Sequence, residues 1–328
     1  VIHGFKTLYP IPLGQAASWN PELVQRAASI AAQEAASVGV NWELAPMLDL
    51  SRDPRWGRIA ESFGEDPHLI SELGRAMING FQGKDLSQPE NIAACAKHFA
   101  GYGASESGRD YGTTNIPEIE LRNVYLPPFE AAVDAGVATI MPSFSDLNGV
   151  PCSGNEFLLN QVLREEWQFD GFVLSDWDSV AQLAIHGFTA NDKESAEKAV
   201  NAGLDMEMAS STYADHLPHL IEEGLVTLQQ IDLAVSRILR LKIRLGLFDN
   251  FFTESANFPA MVNRDSLDAA RLAAQQSIVM LANKSGLLPL ARESIRSVAV
   301  IGPLADAPED QLGTWVFDGD PEICATPL

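Results

Sequence analysis

The fold class is decided by the stretch GFVLSDWDSV (171–180), in which the apolar run Phe172-Val173-Leu174 stops at Ser175-Asp176-Trp177. A short run that is apolar on both faces is typical of a strand buried in a parallel sheet. Similar runs, each followed by Gly, Pro, Asn, Asp or Ser, occur at Val1–Phe5, Trp42–Leu48, Ile92–Phe99, Ala138–Phe144 and Leu204–Met208. We expect all of these runs to be strands of one sheet.

Helical patterns lie between the strand-like runs. Pro21–Val38 follows Asn20, which favours the N-cap position, and it begins with proline, which favours the first helical turn. The other helical stretches are Glu118–Ala135, Asn155–Trp167 and Leu228–Leu247. This alternation predicts an α/β fold with helices outside a parallel sheet. The six strand-like runs are two fewer than the eight strands of a closed (β/α)₈ barrel, and the first run starts at the first residue, Val1. We therefore interpret residues 1–247 as a TIM-barrel-like (β/α)₈ domain that is incomplete at its N-terminus, rather than as an open doubly wound sheet.

The alternation stops after residue 247. Residues 248–265 (FDNFFTESANFPAMVNRD) have no periodicity, and we interpret them as a linker. A helical pattern, Ser266–Ala282, and a strongly apolar run, Ser297–Ile301, follow it. These features predict that residues 266–328 are the start of a second, truncated α/β domain.

Composition excludes several classes of protein. The 328 residues include 22 Lys and Arg against 44 Asp and Glu, a formal charge of −22, which argues against a nucleic-acid partner. No apolar run is long enough to span a membrane. The three cysteines are too few for a disulfide framework or a zinc site, and no HExxH, EF-hand, Walker or GxSxG motif occurs, so we expect no metal and no cofactor. No targeting segment precedes the first strand-like run, which leaves the localisation open.

Polar residues gather where the predicted strands end, which is where the chemistry of a (β/α)₈ barrel lies. Carboxylates, cations and an indole suit a polyhydroxylated ligand, because charged groups bind hydroxyls and an indole stacks on a sugar ring. The candidates are Asp49, Arg52, Asp53, Arg55, Arg58, Glu61, Glu65, Asp66, Lys97, His98, Ser143, Ser145, Asp146, Ser175, Asp176, Trp177, Asp178, Asp205 and Glu207.

Each sharp candidate also has a structural interpretation. Asp176 is either a catalyst or a helix N-cap, although Asp178 is better placed as the cap. Lys97 and His98 are neighbours on a strand and point to opposite faces, so a shared ligand requires a bulge or an unusual peptide bond. The alternative is that His98 packs against a neighbouring strand while Lys97 lines the barrel mouth. The loop Arg55–Glu61 either binds a ligand or forms salt bridges within itself at the surface.

Six segments closely resemble glycoside hydrolase family 3, and above all its bacterial β-glucosidases. They are VIHGFKTLYPIPLG (1–14), APMLDLSRDPRWGRIAESFGEDP (45–67), KHFAGYGASESGRDYG (97–112), MPSFSDLNGVP (141–151), GFVLSDWDSV (171–180) and AGLDMEM (202–208). Further along, residues 277–290 and 297–315 resemble the start of that family's second domain, an α/β-sandwich.

The resemblance implies roles for individual residues. Asp176 would be the nucleophile of a retaining mechanism with a covalent glycosyl-enzyme intermediate. Arg58, Lys97 and His98 would bind hydroxyls of the terminal sugar, with a cis peptide between Lys97 and His98. Met141, which as a single methionine is otherwise a packing residue, and Trp177 would flank the same sugar.

The chain also departs from the family pattern. The family's general acid/base glutamate would lie beyond Leu328, and Glu309 is not at a matching motif. The aspartate that usually precedes the VIHG-like segment would lie before Val1. Phe144 stands where many members have tyrosine, which removes a hydroxyl near the nucleophile. Residues 99–115 contain no histidine, which argues against the N-acetylglucosaminide-cleaving branch.

The resemblance predicts an exo-acting β-glucosidase that removes terminal β-D-glucosyl residues from β-glucosides or cello-oligosaccharides. One alternative is a β-xylosidase or a broader exo-β-glycosidase of the same family. Another is a catalytically incomplete sugar-binding fragment, which the remainder of the second domain or a homo-oligomer partner would complete. A periplasmic or secreted location is plausible by resemblance alone.

Overall fold

The computed structural model describes residues 4–315 and residue 324. The strands are β1 (Cys95–Phe99), β2 (Thr139–Pro142), β3 (Asp146–Leu147), β4 (Val150–Pro151), β5 (Phe172–Trp177) and β6 (Met206–Met208). The central feature is a parallel sheet in the order β1-β2-β5-β6, and β3 and β4 form a small antiparallel hairpin. The predicted α/β fold with a parallel sheet is confirmed, and it is consistent with a TIM-barrel-like domain.

One predicted strand differs from the expectation, and another begins outside the described residues. The segment Trp42–Leu48 does lie beside β1, but it makes only two isolated parallel bridges, Trp42 with Ala93 and Met47 with Lys97. Pro46 lies between these bridges and has no N–H to donate, which interrupts the ladder. The expected first strand, Val1–Phe5, begins outside the described residues.

Helices cover the sheet. They are α1 (Pro12–Ala16), α2 (Pro21–Ala36), α3 (Pro67–Gln82), α4 (Glu118–Glu120), α5 (Pro127–Asp134), α6 (Gln182–Ile185), α7 (Asp192–Ala202), α8 (Thr212–Glu222), α9 (Leu228–Arg244) and α10 (Arg264–Gln276). The predicted helix Glu118–Ala135 is divided by the π-helical turn Leu121–Tyr125, because Pro127 and Pro128 cannot donate to the preceding turn. The predicted helix Asn155–Trp167 is a π-helix over Phe157–Glu166. Among residues 4–315, no helix is long and apolar enough to cross a membrane.

The first long helix forms as its sequence predicts. The Asn20 side chain accepts a hydrogen bond from the Leu23 N–H and caps α2. α2 then packs closely against α3 at Gly80, where a Cβ atom would lie 2.4 Å from the Gln25 carbonyl oxygen and 2.6 Å from the Ala28 Cβ. Glycine is therefore required for this approach of the two helices.

The region after residue 247 agrees only partly with the expectation. α10 replaces the longer helix predicted at Ser266–Ala282, and its Ala269 and Ala273 are buried in one cluster with Leu23 of α2. The strand predicted at Ser297–Ile301 is wrong, since these residues are irregular and exposed. A strand needs a neighbour to pair its N–H and C=O groups, and within residues 4–315 none lies beside this segment.

Candidate active site

Two predicted residues, Arg58 and Lys97, meet around the carboxylate of a third, Glu61. Arg58 Nε lies 2.7 Å from Glu61 Oε1 and Arg58 Nη2 lies 3.1 Å from Oε2, so the pair is bidentate. Lys97 Nζ, on β1, lies 3.9 Å from the same Oε2. Burial alone would raise the pKa of Glu61, but the bonded Arg58 guanidinium holds it below the usual range. Glu61 is therefore an anion that fixes two cations at the carboxyl end of the sheet.

His98 lies between two aspartates. Its Nδ1 is 2.7 Å from Asp49 Oδ2, and its Nε2 is 3.4 Å from Asp176 Oδ2. The imidazole is almost completely buried, and burial together with the charges of Arg58 and Lys97 keeps the pKa of His98 well below its ordinary value. The Lys97–His98 peptide is cis, as the resemblance implies.

Asp176 lies at the end of β5 with one carboxylate oxygen held and the other unpaired. Oδ1 accepts a hydrogen bond of 2.7 Å from the Trp177 N–H, whereas Oδ2 has no hydrogen-bond partner among the described residues. The side chain is 11% exposed. Burial raises the pKa of Asp176 to about 6, against the lowering effects of the Trp177 N–H, Lys97 and Arg58. The group is thus a buried carboxyl that titrates within the range in which enzymes work.

The helix-cap interpretation of Asp176 is wrong. The next helix, α6, begins at Gln182, and its N-cap is Ala181 with no side-chain cap bond. The Asp178 side chain does not cap this helix either. Only the Asp178 backbone carbonyl takes part, by accepting a hydrogen bond from the Gln182 N–H. Neither aspartate side chain is therefore needed to start a helix.

Met141 and Trp177 differ in their exposure. Met141 is opposite Lys97 in the β1–β2 register and is buried in an apolar cluster with Leu174. Packing therefore accounts for Met141 in the absence of a ligand. The Trp177 side chain is 63% exposed, so its indole face is accessible at the strand end.

Several other polar candidates are used elsewhere in the structure. Arg55 pairs at the surface with Asp53, which precedes the loop Arg55–Glu61. Asp205 accepts hydrogen bonds from Arg164 and Arg237 and closes a largely buried ion-pair cluster. These contacts stabilise loops and helices rather than contribute to the Glu61–His98–Asp176 region.

Sequence reasoning missed the role of Trp315. Its Nε1–H donates a 3.0 Å hydrogen bond to Glu61 Oε1, and the Arg58 guanidinium lies 5.8 Å from its ring centre. The two residues are 254 positions apart, and no local pattern could connect them. Trp315 brings the region after the predicted linker to the Arg58–Glu61 pair.

Phe144 is part of an aromatic wall. Its ring centre lies 4.7 Å from that of Tyr111 and 6.0 Å from that of Tyr102. Phe144 therefore packs through its ring against these two tyrosines. Unlike a tyrosine at this position, it has no hydroxyl to donate to Asp176.

Comparison with known proteins identifies the family of this chain. The family model for the glycosyl hydrolase family 3 N-terminal domain matches residues 1–241. The chain belongs to glycosyl hydrolase family 3. Two curated relatives of this family 3 chain are each 40% identical to it over 97% of its length: a periplasmic beta-glucosidase from Salmonella typhimurium and a beta-xylosidase from Formosa agariphila.

Solved structures agree with the family 3 assignment. The β-glucosidase from Listeria innocua in complex with glucose matches 98% of this chain with a TM-score of 0.93 at 44% identity. A mutant of the same Listeria protein in complex with laminaribiose gives a TM-score of 0.89. This family 3 chain spans a little under half of each relative, namely 42% of the Salmonella protein, 46% of the Formosa protein and 45% of the Listeria chain.

Proposed function

We propose that this chain is the nucleophile-bearing part of a retaining, exo-acting β-glucosidase that hydrolyses terminal β-D-glucosyl residues. The observation that carries the proposal is the Asp176 carboxylate, with one oxygen held by the Trp177 N–H and the other unpaired beside His98. Arg58 and Lys97, both fixed by Glu61, supply hydrogen-bond donors nearby.

The mechanism follows from these groups. Asp176 Oδ2 attacks the anomeric carbon and forms a glycosyl-enzyme ester while the bond to the leaving oxygen breaks. Arg58, Lys97 and His98 bind hydroxyls of the sugar and orient its anomeric carbon towards Asp176. A second carboxyl group about 5–5.5 Å from the nucleophile protonates the leaving oxygen and then activates water. We assign this acid/base to a part of the protein beyond Leu328, within the second domain.

The proposed architecture is a (β/α)₈ barrel over residues 1–247, incomplete at its N-terminus, with a linker at 248–265 and a second α/β domain from 266. The contact between Trp315 and Glu61 supports a second unit that approaches the barrel on the side of the site.

Two sugars are candidates. The Listeria structures with glucose and laminaribiose, together with the Salmonella relative, favour a glucoside. The Formosa relative, equally identical, favours a β-xyloside as the second candidate.

A trapping experiment tests the proposal on this chain itself. A dinitrophenyl β-glucoside fluorinated next to the anomeric carbon has a leaving group that departs without acid assistance, so the missing acid/base is not needed. We expect one fluoroglucosyl group to accumulate on the chain, and peptide mapping by mass spectrometry to place it on Asp176.

Two variants and a second reagent complete the test. Asp176→Asn should remain unlabelled, whereas Asp178→Asn, the matched control two residues away, should be labelled like the parent. The corresponding fluoroxyloside measures the second sugar, and faster labelling by it would favour the xylosidase. A folded parent chain that binds glucose but takes no label would instead be a sugar-binding fragment, and the proposal would be wrong.

A further inference from the structure

Asp49 is a buried carboxyl beside His98. It follows the segment 42–48, and its side chain is completely buried. Its Oδ2 makes two contacts with the same residue, since it accepts a 3.0 Å hydrogen bond from the His98 N–H and lies 2.7 Å from His98 Nδ1. Its Oδ1 has no hydrogen-bond partner in the described part of the chain. All the hydrogen bonding of this carboxyl is therefore directed at His98.

The double contact determines where the imidazole hydrogen lies. Burial raises the pKa of Asp49 to about 8, so this carboxyl holds a proton at neutral pH. Oδ2 already accepts the backbone N–H, and a carboxyl oxygen that carries a hydrogen is a poor acceptor, so that proton lies on Oδ1 and the hydrogen shared at 2.7 Å belongs to Nδ1. The two ring nitrogens of a neutral histidine are one donor and one acceptor. With Nδ1 as the donor, Nε2 carries the lone pair.

The other end of the ring then faces a second acceptor. Nε2 lies 3.4 Å from Asp176 Oδ2, the same oxygen that is buried without a hydrogen-bond partner among residues 4–315. Two acceptors that face each other repel until a donor reaches them, and leaving them unpaired in a buried site costs free energy. The arrangement suits a ligand that brings hydroxyl hydrogens.

We propose that Asp49 is a positioning residue that holds His98 in the Nδ1–H tautomer, so that His98 Nε2 and Asp176 Oδ2 form an acceptor pair for sugar hydroxyl hydrogens. His98 on this account accepts from the sugar and does not donate to it. The identity of the ligand rests on the proposed function, whereas the tautomer does not.

The tautomer is measured directly on the free chain with ¹⁵N-labelled histidine and long-range ¹H–¹⁵N correlation spectra. His98→Gln identifies the His98 signals by their loss. We expect a protonated Nδ1 and an unprotonated Nε2. His186 is an internal reference of the opposite kind, because its Nε2 lies 3.1 Å from the Phe144 carbonyl oxygen, which can only accept.

Two variants test whether Asp49 is the cause. Asp49→Ala should release the tautomer and move the His98 signals while those of His186 stay in place, and it should slow fluoroglucosyl labelling by about tenfold or more. Asp49→Asn, which keeps the shape and an acceptor oxygen, should keep the tautomer, weaken the Nδ1–H bond and move that proton resonance upfield. If the alanine variant does not fold, Asp49→Asn provides the test of Asp49 in its place.

The outcomes separate the two proposals. A His98 with a protonated Nε2 in the parent chain, or His98 signals that do not respond in either Asp49 variant, would overturn the inference whatever the chain hydrolyses. An Nδ1–H tautomer in a chain that takes no fluoroglucosyl label would support the inference and contradict the proposed glucosidase.

Discussion

At the scale of the residue, Asp176 combines the requirements of a nucleophile with a cost in stability. Its Oδ2 is buried without a hydrogen-bond partner in residues 4–315, and burial raises its pKa from 3.8 to about 6. Because the folded-state pKa lies above the unfolded value, the protonated form of the Asp176 carboxyl favours folding. Its contribution to the free energy of unfolding is complete below about pH 4 and is lost as the pH rises through 6. At neutral pH the ionised carboxylate therefore destabilises the fold.

Asp176→Asn should consequently stabilise the chain. A rise of the pKa from 3.8 to about 6 corresponds to at most about 3 kcal/mol, and we expect an increase of roughly 1–3 kcal/mol in the free energy of unfolding at pH 7.5. The gain should shrink towards pH 4, where the parent carboxyl is also neutral. Urea unfolding of both proteins at the two pH values measures it, with Asp178→Asn as the control. An asparagine variant that is less stable than the parent at pH 7.5 would contradict the interpretation.

The same pKa predicts a pH dependence of labelling. Only the ionised carboxylate attacks, so the rate of fluoroglucosyl labelling should fall about tenfold for each pH unit below 6 and level off above it. The dinitrophenyl leaving group needs no acid, so the titration reports the nucleophile alone. Equal labelling rates at pH 5 and pH 7 would show that the nucleophile does not have a pKa of about 6.

At the scale of the element, Gly80 allows the helices α2 and α3 to pack closely against each other. Gly80→Ala would place a Cβ 2.4 Å from the Gln25 carbonyl oxygen, so the helices must separate. We expect a loss of about 1–3 kcal/mol in the free energy of unfolding, as for other overpacked sites. Gly57→Ala is the control, because a Cβ there meets no described atom within 4 Å. Denaturation curves compare the two variants, and equal stabilities would show that the helices tolerate the extra methyl group.

At the scale of the whole molecule, Trp315 joins the region after residue 247 to the Arg58–Glu61 pair. Trp315→Phe keeps a ring beside Arg58 but removes the N–H donated to Glu61, a hydrogen bond to a charged group. Such bonds contribute about 1.5–3 kcal/mol, so the orientation of Arg58 should weaken and fluoroglucosyl labelling should slow by about tenfold or more.

The matched control for this substitution is Trp19→Phe, because the Trp19 side chain is 75% exposed and its indole makes no hydrogen bond with the described residues. It should label at the parental rate. Equal rates for the two phenylalanine variants would mean that the Trp315 contact has no part in binding the sugar.

Local pattern was sufficient for much of the fold. The strand at Phe172–Trp177, the helix that begins at Pro21 and its Asn20 cap all lie where the sequence predicts them. Each depends on residues close together in the chain, namely an apolar run, a capping side chain and a proline in the first turn. Six motifs in the expected order were likewise sufficient to identify the family, and the family model confirms it.

What only the tertiary structure decided depends on residues far apart in the chain. Asp49 meets His98 and Trp315 meets Glu61 through packing that no local pattern encodes. The apolar run Ser297–Ile301 has strand composition, yet it is irregular because a strand also needs a neighbour. The sequence by itself determined most of the elements and the family, whereas three-dimensional packing determined which side chains share the site, because hydrogen bonds and burial act on distance in space and not on separation along the chain.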